Sequence, residues 1–248
     1  MHKSIASVSL FALLAVSSAQ AQPTAITACG QISPGNYVLT KNISASNAMG
    51  DCLTIVSPGL VTIDLGGFTI TTLASKTGIS APNGRVSAIV RNGTIVATNG
   101  ISLGGELRSV VEGIRVISVN GLPQVQPPKA GTGISATGVV KDNVVLGGFS
   151  VGVAAGGTVT GNYIGPNFGR NPTNGQPVSV SATTGMSVSS GSTVIGNTID
   201  LSASSGNGQV GLEAACPSNV TNNTLTGSAK NIEVGTSGNC NTTNNVAP

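Results

Sequence analysis

Residues 133–164 read GISATGVVKDNVVLGGFSVGVAAGGTVTGNYI, and two short patterns alternate through them. One is Gly followed by an apolar residue, at Gly133-Ile134 and Gly152-Val153. The other is apolar-x-x-Asn-x-apolar, running Val140 to Asn143 to Val145 and Val159 to Asn162 to Ile164. Outward from this stretch the first pattern recurs at Gly78-Ile79, Gly100-Ile101, Gly185-Met186 and Gly211-Leu212. The second recurs at Val194 to Asn197 to Ile199 and Val220 to Asn223 to Leu225, with Ile89 to Asn92 to Ile95 as a variant carrying one extra residue. A period of about twenty-two residues marks a repeat architecture.

Each unit holds short strands of alternating apolar residues, such as Val61-Thr62-Ile63-Asp64-Leu65, broken by Gly or Asn where the chain turns with positive φ. One unit cannot bury its apolar face alone. Stacked as parallel rungs about 4.8 Å apart, the units place equivalent positions above one another, so apolar residues fill an axial core and Asn amides form a hydrogen-bonded ladder. The expectation is an all-β solenoid, a parallel β-helix of about eight rungs, roughly 35 to 40 Å tall. An immunoglobulin-like sandwich is the competitor, but it offers no reason for a fixed Asn register.

Composition agrees. Only 8% of the 248 residues are charged, 35 are Gly and none is Trp, while hydrophobic residues reach 39%. That is too apolar for disorder and too poor in Lys, Glu and Gln for a helical bundle. Basic residues such as Arg85, Arg91, Arg108, Arg115, Lys129, Lys141 and Arg170 are spread thinly along the chain, which excludes a nucleic-acid-binding face.

Met1-His2-Lys3, the apolar run Ile5 to Val16 and Ala19-Gln20-Ala21 read as a secretory signal peptide over residues 1–21. The run is too short for a membrane anchor, so the mature chain is expected to insert in no membrane and to be secreted or periplasmic. Ile26-Thr27-Ala28-Cys29 matches a lipoprotein cleavage box in letters only, too far beyond the apolar run. Cleavage removes Lys3, leaving 10 basic against 8 acidic residues, net +2. It also removes His2, the only histidine, and with it any Ser-His-Asp or Cys-His nucleophile. No cofactor or metal is expected.

In an exported chain Cys29, Cys52, Cys216 and Cys240 read as disulfide-forming. Four cysteines allow three pairings and sequence does not choose, although the separations suggest the local pairs Cys29 with Cys52 and Cys216 with Cys240. A four-thiolate metal site is disfavoured, because no C-x-x-C spacing exists. Residues 22–51 differ in texture from the repeats and read as an N-terminal cap, with 52–248 as the β-helix domain.

The stretches TACGQISPGNYVLTKNI (27–43), DCLTIVSPGLVTIDLGGFTI (51–70) and VRNGTI (90–95) resemble the opening of secreted bacterial right-handed parallel β-helix proteins of the pectin lyase-like superfamily. The resemblance implies the fold and its right-handedness. It implies function only broadly, since polysaccharide lyases, hydrolases, adhesin stalks and tailspikes share this architecture. Polygalacturonase-like members use grouped carboxylates, and pectate lyase-like members use Ca2+ held by acids beside an Arg or Lys. No Asp-Asp pair or matching signature is present here, so no family catalytic residue transfers to this chain.

Alignment on the Asn column places Arg91, Glu112 and Asp142 in one stripe, where neighbours would lie about 5 Å apart, near the carboxylate separation of a retaining glycosidase. Glu112 and Asp142, with Arg91 or Arg115, are therefore the catalytic candidates. Two insertions, Ser118 to Ala130 and Gly165 to Pro177, leave after the Asn strand at one corner and would wall a cleft over Asn143, with Tyr163, Phe168 and Arg170 as ligand-binding groups. The leading expectation is a secreted, non-catalytic solenoid that is surface-structural or binds an extracellular or cell-surface polysaccharide. The alternative is a polysaccharide lyase or glycoside hydrolase. Gly206-x-Gly208-x-x-Gly211 lacks the strand and helix of a dinucleotide site. Thr69-x-Thr71 and Thr158-x-Thr160 do not recur often enough in sequence for an ice-binding array.

Overall fold

The computed structural model describes residues 22–45, 50–72, 76–82, 84–105, 108–119, 131–170, 177–203 and 208–247. The expected signal peptide lies outside them. The described residues are all-β without an α-helix, and nearly all strands join one large parallel sheet that curls on itself. Parallel pairing on this scale excludes the immunoglobulin-like sandwich, whose sheets are antiparallel. None of the described residues forms a helix long and apolar enough to cross a membrane.

The chain adds strands to three columns in turn. The first column stacks Thr77–Ser80, Asn99–Leu103, the start of Thr132–Lys141, the start of Val151–Thr160, Thr184–Val188, Val210–Ala214 and Lys230–Val234. The second stacks Gly59–Asp64, the start of Val86–Ala97, the start of Ser109–Ser118, the ends of Thr132–Lys141 and Val151–Thr160, then Thr193–Ile195, Asn219–Thr221 and Asn241–Thr243. The third stacks Thr69–Thr71, the ends of Val86–Ala97 and Ser109–Ser118, Val144–Leu146, Tyr163–Gly165, Thr198–Asp200 and Thr224–Thr226. Residues 22–45 extend the same sheet, with Gly35–Leu39 pairing onto Gly59–Asp64 and Ile43–Ser44 onto Thr69–Thr71.

Alternation puts one row of each column inside. Ile79, Ile101, Ile134, Val153, Met186 and Leu212 stand above one another in the first column, and Ile70, Ile95, Val116, Val145, Ile164, Ile199 and Leu225 in the third, all buried. The Gly before each first-column apolar residue has a packing cause. A Cβ on Gly133 would stand 2.5 Å from both Gly152 O and Val145 Cγ1, so only glycine lets the third column's core residues approach the first.

The corner between second and third columns is made by one left-handed residue per pass: Asn92 (φ 60°), Gly113 (61°), Asp142 (55°), Gly161 (65°), Gly196 (66°), Asn222 (56°) and Asn244 (55°). Glycine, Asn and Asp are the residues that tolerate this region. The next residue is the ladder position. Asn143 Nδ2 donates to Asn162 Oδ1, Asn162 to Asn197 and Asn197 to Asn223, each at 2.9 Å, and Asn223 to Asn245 at 3.0 Å. Each Nδ2 also donates to a second-column backbone carbonyl one pass back in the stack, Val111 for Asn143 and Val140 for Asn162. Each Oδ1 accepts a backbone N–H as well, Ile114 N for Asn143. The amides are thus fully paired while buried, as a low-dielectric interior requires.

Asn92, expected in this ladder, instead takes the left-handed corner, and Gly93 occupies the position inside. Asn245 is a ladder member that the pattern missed. Thr242 stands where the motif requires an apolar residue.

Cys29–Cys52 and Cys216–Cys240 are disulfide-bonded, with Cα–Cα distances of 4.5 and 5.1 Å. Such bonds are consistent with an extracellular or periplasmic location.

Candidate functional site

The outward row of the second column carries Asp64, Arg91, Glu112 and Lys141 on successive strands in direct register. Signs alternate along it, so no residue faces a like charge across about 4.8 Å. Arg91 Nε donates to Asp64 Oδ2 at 3.0 Å and Lys141 Nζ to Glu112 Oε2 at 2.7 Å, giving two pairs. The hydrogen bond to Glu112, then its charge, holds the Lys141 ammonium above the usual lysine range.

This register corrects the expected stripe. Glu112 lies between Arg91 and Lys141, not beside Asp142, which sits one residue further along in the left-handed corner. The cause is Asn92: counted as a ladder residue, it shifts its strand by one position relative to Asn143. Glu112 and Asp142 are not in-register neighbours, and Glu112 is occupied by a lysine. Arg115 is exposed in the third column between Thr94 and Val144, away from this row. Asn143 is 1% exposed with its amide spent in the ladder, so it does not face a ligand. Asp64 and Lys141, the partners that neutralise Arg91 and Glu112, were not singled out from sequence, where only the register reveals them.

Tyr163, Phe168 and Arg170 fall where one excursion leaves the parallel sheet. Asn167–Arg170 and Pro177–Val180 form an antiparallel hairpin, pairing Phe168 with Ser179 and Arg170 with Pro177. Phe168 is 76% exposed, whereas Phe149 is buried and Phe68 packs against the core. Tyr163 lies at the foot of this excursion, between Val144 and Thr198 in register. Its ring rests over Gly165, where a Cβ would meet Cε1 and Cζ at 2.6 Å. Partial burial, then the charge of Asp200, raises its phenol above the usual tyrosine range.

The two insertions leave from one place. A Cβ on Gly147 would be 3.0 Å from Ser118 Cβ and 3.2 Å from Asn167 Cβ, so their departure points flank Gly147 on adjacent strands. Residues 120–130 and 171–176 lie outside the described ones. What the described residues offer here is the exposed ring of Phe168. Among the described residues no three His, Cys, Asp or Glu gather closely enough to hold a metal ion. No known protein family, curated protein or solved structure matches this chain.

Proposed function

We propose that the protein is a secreted right-handed parallel β-helix of about eight turns, capped by residues 22–51, that binds an extracellular polysaccharide without turning it over. The observation that carries this reading is Phe168, an aromatic ring 76% exposed on an antiparallel hairpin outside the parallel sheet, with Tyr163 shortly before it in the chain. Sugar rings present apolar faces on which an exposed aromatic ring stacks. The absence of turnover is supported by the pairing of Arg91 with Asp64 and Glu112 with Lys141. Secretion is supported by both disulfides.

Retention on a panel of immobilised polysaccharides tests it. Phe168→Ala is expected to weaken retention about tenfold, equivalent to about 1.4 kcal/mol, with an unchanged circular dichroism spectrum. Equal retention by the variant, or none by the wild type, overturns the reading. Release of sugar products that Glu112→Gln abolishes would replace it with the hydrolase or lyase alternative.

A further inference from the structure

A second place on the molecule has the attributes of a ligand site, and it lies apart from the hairpin. At the start of the second column's outer face is a cavity of about 510 Å³ whose lining includes Gln22, Asn36, Val38, Thr62, Asp64 and Arg91. Its volume falls within the range of small-molecule sites, about 300 to 1,000 Å³. Asn36 is in register with Thr62, and Val38 with Asp64, which in turn faces Arg91, so these side chains share one surface.

Asp64 is the positioning residue. Its Oδ1 accepts from Gly66 N at 2.9 Å and its Oδ2 from Arg91 Nε at 3.0 Å, while Asn92 Nδ2 reaches both oxygens at 3.4 and 3.3 Å. Four contacts fill the acceptor capacity of a carboxylate. The bond at Nε leaves the two terminal nitrogens of the Arg91 guanidinium, on a side chain 43% exposed. Asn36, Thr62 and Gln22 make no side-chain hydrogen bond among the described residues, and Val38 adds an apolar surface.

We propose that this cavity receives a neutral hexose unit, an inference that rests on the glycan-binding reading above and names a further subsite for it. Amide and hydroxyl groups that both donate and accept match sugar hydroxyls, which do the same, and a planar guanidinium fork spans two adjacent oxygens. A carboxylate ligand fits worse. The charge of Arg91 is already paired with Asp64, so a second anion competes with that carboxylate for the same guanidinium.

The test is a nuclear magnetic resonance titration of the full secreted chain with the methyl glycosides of glucose, galactose and mannose, and with galacturonate. The expected result is a saturable shift of the amides at 36–38 and 62–64 with a neutral hexoside. Arg91→Gln combined with Asn36→Ala weakens it tenfold or more, and Thr62→Val, an isosteric change at a half-buried position, weakens it severalfold. Asp64→Asn, which loosens Arg91 without removing it, raises the dissociation constant severalfold. The inference is overturned if no neutral hexoside shifts these amides, if galacturonate binds more tightly than every neutral one, or if the variants titrate like wild type. A hexoside that shifts only residues around Tyr163 and Phe168 overturns it while leaving the hairpin reading intact. Shifts here with no retention on any polysaccharide sink the hairpin reading instead.

Discussion

The early and late halves of the second column hold their strands in register by different means. From Asp64 to Lys141 the outward row is four alternating charges, while the ladder position inside holds Gly93 and Ile114. From Thr160 onward the same row reads Thr160, Ile195, Thr221 and Thr243, without charge, and the interior carries the Asn ladder from Asn143 to Asn245. The outer device stops where the inner one starts. A stack of parallel strands slips easily unless something penalises the wrong pairing. Charge alternation penalises it weakly, in water and subject to salt. A buried amide ladder penalises it strongly, because every slipped amide would be left unpaired in the core.

The comparison breaks most visibly at Asn162. Asn162→Ala removes the acceptor of Asn143 N and Nδ2 and the donor to Val140 O and Thr160 O. The expected cost is about 3 to 5 kcal/mol, seen as a fall in Tm of roughly 10 °C that added salt does not recover. A loss no larger than that of a surface change would show that the ladder does not hold the late half.

In the early half, Glu112→Lys places three cations in a row. Its expected cost is about 1 kcal/mol at low ionic strength, largely recovered in about 1 M salt, where the screening length is about 3 Å. Urea titrations at two salt concentrations read both variants. If salt rescues Asn162→Ala as well as Glu112→Lys, the distinction between the halves fails.

The smallest effect is in alkali. Lys141 has a raised folded pKa, so its contribution is complete below the ordinary lysine value of 10.5 and is lost as pH rises through the higher folded value. Tyr163 acts in the same direction. Its neutral phenol is favoured in the fold, so stability falls once pH passes the ordinary tyrosine value of 10.0. Lys141→Met should lower Tm slightly in the neutral range, where the contribution of the lysine is lost, and flatten the decline above pH 10, whereas Tyr163→Phe should flatten that decline and leave the neutral range unaffected, a result that thermal melts across pH would check.

Much of the architecture was legible because it answers local demands repeated on every pass. Gly133 and Gly152 are needed where a Cβ would strike a neighbouring strand, and Asn162 and Asn197 where buried donors require partners. The site was less legible. Asn92 satisfies the corner's need for a left-handed residue as well as Asn would satisfy the ladder, so the letter did not distinguish the two positions. That slip carried Asp142 into a stripe where Lys141 stands. Asn143 was expected at a surface and is buried, because its position in the repeat faces the interior where the amide ladder runs.

The spacing of Gly, Asn and β-branched residues by itself determined an all-β chain of parallel strands with apolar residues inside and amides stacked at a corner. Each of those features is enforced by the sterics and hydrogen bonding of a single position. Which charges meet, which phenylalanine stands in water and which polar groups converge on one cavity were decided only by the tertiary structure. Residues 64 and 91, or 112 and 141, become neighbours through strand register across turns of unequal length, and no local rule in the chain counts that register.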